Sequence, residues 1–221
     1  MTTDAFDLSG KRALIAGPGG VIEDAIAAAL QAAGATTYRA SAVSDELVDE
    51  AAVHLGGLDT LVTGGDLKLA VPLVELDDAD LDRVVATNLV APLRLIRAVG
   101  RAMLGRGGGR IIVVHSILAE RGVPNTSAYS ATQAALAQLI RALAIEWARS
   151  DIRVNGIALG WFKGDPFVAA AEAERLARFL PSRRLGRPED VGALAVYLAS
   201  DAADMMTGRS IVVDGGAMIH A

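Results

Sequence analysis

Arg12-Ala13-Leu14-Ile15-Ala16-Gly17-Pro18-Gly19-Gly20-Val21-Ile22-Glu23 runs from a short apolar segment through a glycine-rich turn into a segment of helical period. The apolar run has strand length, and the glycines after it mark a tight turn. The spacing of apolar residues over 23–33 then predicts a helix. The same alternation continues downstream. Strands are predicted at 36–39, 60–62, 110–115, 153–159 and 210–213, and helices at 44–55, 78–104 (long and bent), 126–148, 169–179 and 188–198. Gly56-Gly57 stops one helix, and Pro188 followed by Glu189 and Asp190 suits the first turn of another. Such alternation argues an α/β fold, a doubly wound parallel sheet covered by helices on both faces. No repeat, linker or low-complexity stretch interrupts the 221 residues, so one domain over residues 1–221 is expected.

Composition narrows the function classes. The chain is 52% hydrophobic with a net charge of −5, and acids and bases are interspersed. No basic run points to nucleic acid. With no cysteine, disulfides and thiolate metal sites are excluded, and His54, His115 and His220 form no metal-ligand pair. The start lacks a basic segment followed by an apolar one, and charges break the alanine-rich stretches at helical spacing. No metal, no membrane partner and a cytoplasmic location are therefore expected.

The chemistry-bearing residues come in an ordered series. Asn88 sits in Thr87-Asn88-Leu89, and Gly109-Arg110-Ile111-Ile112-Val113 leads to Ser116. Tyr129 follows in Ser127-Ala128-Tyr129-Ser130-Ala131-Thr132-Gln133. Further on come Ile152-Arg153-Val154-Asn155, Arg184-Leu185-Gly186-Arg187-Pro188-Glu189-Asp190-Val191, Thr207-Gly208 and Val213-Asp214-Gly215-Gly216. In this series the chain resembles the short-chain dehydrogenases/reductases nearly end to end. The resemblance implies a Rossmann-like fold, NAD(P), a small-molecule substrate, and a homodimer or homotetramer built through the two long helices and the last strand. It implies that Tyr129 transfers a proton, Ser116 holds the substrate oxygen and Asn88 connects to a water chain. Gln133 then stands where the family has a lysine that lowers the tyrosine pKa and binds the ribose.

Several positions depart from the family pattern. The first turn carries Val21 and Glu23 in place of its second and third glycines, so a side chain and a carboxylate enter the space of a pyrophosphate at a helix N-terminus. Thr63-Gly64-Gly65-Asp66 replaces Asn-Asn-Ala-Gly, Leu159-Gly160 replaces Pro-Gly, and Gly164 aligns with a threonine that holds the nicotinamide amide. Between Arg39 and Thr60 there is room for one helix but not for the family's third strand, whose Asp-Val pair contacts adenine, so that strand is expected to be missing.

These departures set the functional expectation. Gln133 is neutral and cannot depress a tyrosine pKa from about 10, although it can hydrogen-bond a ribose. A protonated Tyr129 is a competent acid and a poor base, so reduction would suffer less than oxidation. The expected function is acid catalysis by Ser116 and Tyr129 on a small carbonyl, hydroxyl or epoxide compound, of isomerase, cyclase or lyase type, with no cofactor or a weakly bound one. The halohydrin dehalogenases are a related precedent that keeps Ser and Tyr without a dinucleotide, although they carry Arg at the position of Gln133. Lys68 or Lys163 is a candidate for the lost cation. Leu118, Trp161 and Phe162 are candidate substrate-pocket residues, with a lid over 166–180. The first alternative is an NAD(P)H-dependent carbonyl reductase, with Gly17, Gly19, Gly20 and Arg39 at the nucleotide and Arg12 beside a 2′-phosphate. The second is a non-catalytic oligomer partner.

Overall fold

A computed structural model describes residues 5–17, 20–41 and 46–219. The strands are β1 (Arg12–Ala16), β2 (Thr36–Ala40), β3 (Thr60–Gly64), β4 (Gly109–Ser116), β5 (Ile152–Leu159) and β6 (Ser210–Val213). They form one six-stranded sheet in the order β2-β1-β3-β4-β5-β6, every pairing parallel. The helices are α1 (Val21–Ala32), α2 (Leu47–Leu55), α3 (Asp78–Val85), α4 (Ala91–Arg106), α5 (Ser127–Trp147), α6 (Ala173–Phe179) and α7 (Gly192–Ala199). The doubly wound α/β reading therefore holds.

The central strands β1, β3, β4 and β5 carry mostly apolar, buried residues because both faces are covered. In β1, Leu14 and Ala16 join the core beneath α2, α4 and α5, while Ala13 and Ile15 join the core beneath α1 and α7. Each fully buried Leu or Ile contributes about 1.5–3 kcal/mol relative to exposure. A third cluster, around Leu118, Tyr129, Leu180 and Leu185, closes the carboxyl end of the sheet.

Boundaries differ from the expected ones for local reasons. The predicted helix over 78–104 is broken by a π-helical turn, Ala86–Val90, which carries Asn88. The predicted start at Ser44 lies outside the described residues, and α2 begins at Leu47. It stops at Gly56, whose φ of 71° is the left-handed cap expected there. β2 is an edge strand, as expected from the short segment after Arg39, and its Thr36 is exposed. Among the described residues no helix is long and apolar enough to cross a membrane.

Candidate active site

Four strand ends open into one cavity of about 360 Å³. The turn after β1 contributes Gly20 through Glu23, β3 ends in Gly64, Gly65 and Asp66, and β4 contributes Val114, His115 and Ser116. Leu159 and Gly160 come from β5, Tyr129 from α5. The chain passes to opposite sides of β1 to form β2 and β3, so the cavity lies where the strand order reverses, the usual ligand crevice of open α/β sheets.

The π-helical turn explains how Asn88 is used. Its buried side chain accepts a hydrogen bond from the Leu67 amide at 2.7 Å and donates to the Leu67 carbonyl at 2.9 Å. Gly65 lies against it so closely that a Cβ there would stand 2.3 Å from Asn88 Cα. Asn88 thus clamps the loop bearing Asp66 and Lys68 without lining the cavity. Gln133 is also fully buried. Its Oε1 accepts from the Ser116 amide at 3.0 Å and its Nε2 donates to the Gly65 carbonyl at 2.9 Å. The expected ribose contact is corrected: Gln133 is spent on backbone groups.

Ser116 and Tyr129 do meet the cavity. Ser116 Oγ accepts from the Leu118 amide at 3.1 Å. Tyr129 Oη donates to Asp66 Oδ1 at 2.7 Å, and its ring meets Phe167 edge-on at 5.1 Å. Burial, then the neighbouring Asp66 charge, push the Tyr129 pKa well above its usual value, with a Ser116 hydrogen bond pulling the other way. Lys68 Nζ lies 3.1 Å from Asp66 Oδ2 and 2.9 Å from Asp165 Oδ2. Burial favours a neutral Lys68, but the two carboxylates outweigh it and raise its pKa, so it stays charged. Enclosure by the cavity walls raises the Asp66 pKa, against the pull of Lys68 and Tyr129. Of the two candidate lysines, Lys68 is the partly buried, paired one, while Lys163 is exposed at the cavity wall. Asp165 escaped the sequence reading. Its signal was an acid beside the turn Gly164-Asp165-Pro166, nearly a hundred positions from Lys68.

The first turn has its own occupant. The Glu23 carboxyl oxygens lie 3.1 Å from the places that a Cβ on Gly17 or on Gly20 would take. Burial raises the Glu23 pKa, partly offset by its own backbone amide and by Arg39. Arg39 pairs with Asp24 at 2.7 Å, and its buried Nη1 has no partner among the described residues. Gly19 lies outside them. Arg12 is at the far end of β1, bound to Asp59 at 2.7 Å, so its expected role beside a 2′-phosphate is corrected. Phe162 lines the cavity. Leu118 packs in the third core cluster, and Trp161 lies beneath the guanidinium of Arg121, 5.7 Å from its ring centre, so neither lines the cavity. His115 is buried with Nε2 2.8 Å from Ser210 Oγ.

A family model described as enoyl-(acyl carrier protein) reductase matches residues 24–218. The cis-4-hydroxycyclohexanecarboxylate dehydrogenase of Sinomonas cyclohexanicum is 39% identical over 203 residues, covering 87% of this chain and 81% of that protein. The 5-keto-D-gluconate 5-reductase of Escherichia coli is 30% identical over 250 residues, 98% of each chain. The chain belongs to the short-chain dehydrogenase/reductase family. A crystal structure of gluconate 5-dehydrogenase from Burkholderia cenocepacia, in complex with NADP and tartrate, superposes with a TM-score of 0.88 at 28% identity, covering 99% of each chain.

These relatives overturn two expectations: chemistry of isomerase, cyclase or lyase type, and a missing or weak cofactor. Gln133 brings no cation to the site, and Lys68, one of the two candidates for the lost cation, is the one held beside Tyr129. The structure brings Lys68 to the same tyrosine through Asp66, from a loop that no local motif marks.

Proposed function

We propose that this protein is an NAD(P)-dependent oxidoreductase interconverting a secondary alcohol and a ketone on a small carboxylate-bearing molecule. The observation that carries the reading is a cavity at the strand-order reversal lined both by Ser116 and Tyr129 and by Gly20 through Glu23 after β1. The names of the relatives supply the substrate class: the hydroxycyclohexane-carboxylate and the keto-gluconate each bear a carboxylate and an alcohol or ketone carbon.

The residues present fit a dinucleotide with one adjustment. Gly17 and Gly20 keep the side-chain-free cradle that a diphosphate needs at the start of α1, and Arg39 flanks it. The Glu23 carboxyl fills that cradle and has to turn aside or carry a proton when phosphate enters. When bound, the nicotinamide supplies or accepts the hydride. Ser116 holds the substrate oxygen by hydrogen bonding, Tyr129 exchanges its proton, and Lys163 at the cavity wall meets the carboxylate. Asn88 and Gln133 act by fixing the two loops. A one-domain, cytoplasmic protein that assembles as a homodimer or homotetramer completes this reading.

Titration with NADPH and NADH, followed by nucleotide fluorescence, tests the cofactor. Oxidation of D-gluconate and cis-4-hydroxycyclohexanecarboxylate, and reduction of 5-keto-D-gluconate, test the substrate class. Binding of either nucleotide with turnover of one compound is expected; no binding of either at millimolar concentration overturns the reading.

A further inference from the structure

Tyr129 has only one phenolic hydrogen, and it is committed to Asp66 Oδ1 at 2.7 Å. A substrate hydroxyl arriving at Tyr129 Oη therefore meets an acceptor, not a donor. Asp66 is held in turn by Lys68 at 3.1 Å, and Lys68 is anchored at 2.9 Å by Asp165. The anchor is a built one, because the side chains of Lys68 and Asp165 are only 12% and 5% exposed. The Asp66 side chain remains 50% exposed, which gives its carboxyl a route to solvent.

Resting on the dinucleotide-dependent reading above, we infer that Asp66 is the terminal proton acceptor for alcohol oxidation, acting through Tyr129. The substrate O–H bond breaks and its proton passes to Tyr129 Oη, while the Tyr129 O–H bond breaks and its proton passes to Asp66 Oδ1. The electron pair of the substrate O–H bond forms the new carbonyl, and the carbinol hydride goes to the oxidised nucleotide. Tyr129 ends as it began, a neutral phenol. Asp66 ends neutral and returns its proton to water, so the net products are ketone, reduced nucleotide and one proton. Lys68 favours the ionised form of Asp66 against the burial that raises its pKa, and Asp165 holds Lys68 in place. The base is thus a carboxylate, where the family pattern would use a tyrosine made acidic by lysine. The expected penalty on oxidation from Gln133 is removed by the same route.

The relay has a pH sign. It needs ionised Asp66, so oxidation falls as pH drops through the Asp66 pKa. The charged or titratable groups facing Asp66 are Lys68 on its own loop, Tyr129 on α5, Asp165 after β5 and Glu23 on α1. Lys68→Met removes the one cation among them and moves this acid limb to higher pH.

Two readouts test the inference. The chain has three tyrosines, so the ultraviolet tyrosinate titration of the wild type minus that of Tyr129→Phe isolates one of them. Asp66→Asn is expected to lower the pH of that ionisation by about one unit or more, since a like charge beside the phenolate is removed. In D-gluconate oxidation with the nucleotide that binds, Asp66→Asn is expected to cut kcat about a hundredfold with little change in KM and to abolish the acid limb. Asp66→Glu, which keeps a carboxylate, recovers part of the loss and serves as the second variant if Asp66→Asn does not fold. An unshifted tyrosine titration overturns the inference, and so does a shifted one with unchanged kcat and pH profile. Failure of both nucleotides to bind would sink the proposed function instead, and the tyrosine titration would then decide alone whether Asp66 governs the Tyr129 proton.

Discussion

Gln133 ties the backbone of Ser116 to the backbone of Gly65, accepting from the first at 3.0 Å and donating to the second at 2.9 Å. The ends of β3 and β4 are thereby pinned at the level of the cavity, where their ladder has stopped. A neutral amide suits this task because it offers one donor and one acceptor in the same plane.

Gln133→Ala leaves a buried amide and a buried carbonyl unsatisfied. At about 1–3 kcal/mol for each such group, a loss of about 2–6 kcal/mol is expected. Urea denaturation measures it. A loss below the error of the extrapolation would show that the brace is dispensable.

On the proposed dinucleotide-dependent reading, Glu23 should set the pH dependence of nucleotide binding. Its pKa is raised by burial, and the carboxylate stands where a diphosphate would lie. The ionised form repels phosphate, so NADPH affinity rises as pH falls from neutrality toward that raised pKa. Like charges about 4 Å apart cost roughly 1 kcal/mol in water and more in a half-dry cleft, so Glu23→Gln should tighten binding about fivefold or more at neutral pH. The variant should also flatten the pH dependence of Kd. Equal Kd values for wild type and variant across pH would count against this role.

His115 gives the fold an acid weakness. Burial holds its pKa near 4, below the ordinary 6.5. The unfolded chain binds this proton first, so stability present above about 6.5 is lost as pH falls toward 4, by roughly 3 kcal/mol at most. Comparing the unfolding free energy of wild type and His115→Gln between neutral and mildly acidic pH checks it, and the variant should lose less on acidification.

Gly65→Ala would set a methyl carbon 2.3 Å from Asn88 Cα, a backbone atom of the π-helical turn. Relief requires the helix to move, and overpacking of this kind costs about 1–3 kcal/mol. Lower thermal stability together with lost turnover is the expected outcome. Gly122→Ala, which meets nothing within 4 Å, is the control.

The fold was legible because burial on both faces writes itself into the central strands as short, mostly apolar runs. Residues 12–16 and 210–213 are bounded correctly from the sequence, and the other strands within two residues. A bend within 78–104 is expected from the sequence, and the structure supplies its cause in the π-helical turn Ala86–Val90. Ser116 and Tyr129 were found through their motif and do face the cavity. Gln133 was located correctly and misread, since a motif position says nothing of which backbone groups need a partner. Lys68 is legible as a candidate cation, but its pairing with Asp165 is not, for the opposite reason. Two loops distant in the chain meet only because β3 and β5 end at the same side of one sheet.

The edge position of β2 bears on how a nucleotide is gripped. No strand lies beyond it among the described residues, so the adenosine half of a dinucleotide bound as proposed would meet the Asp24–Arg39 pair at an open edge. Anchorage is therefore lopsided. Reduced nicotinamide mononucleotide, which lacks the adenosine half, should lose less affinity relative to NADPH here than in relatives with a longer sheet, and the ratio of the two dissociation constants measures how far half a cofactor can stand in for the whole.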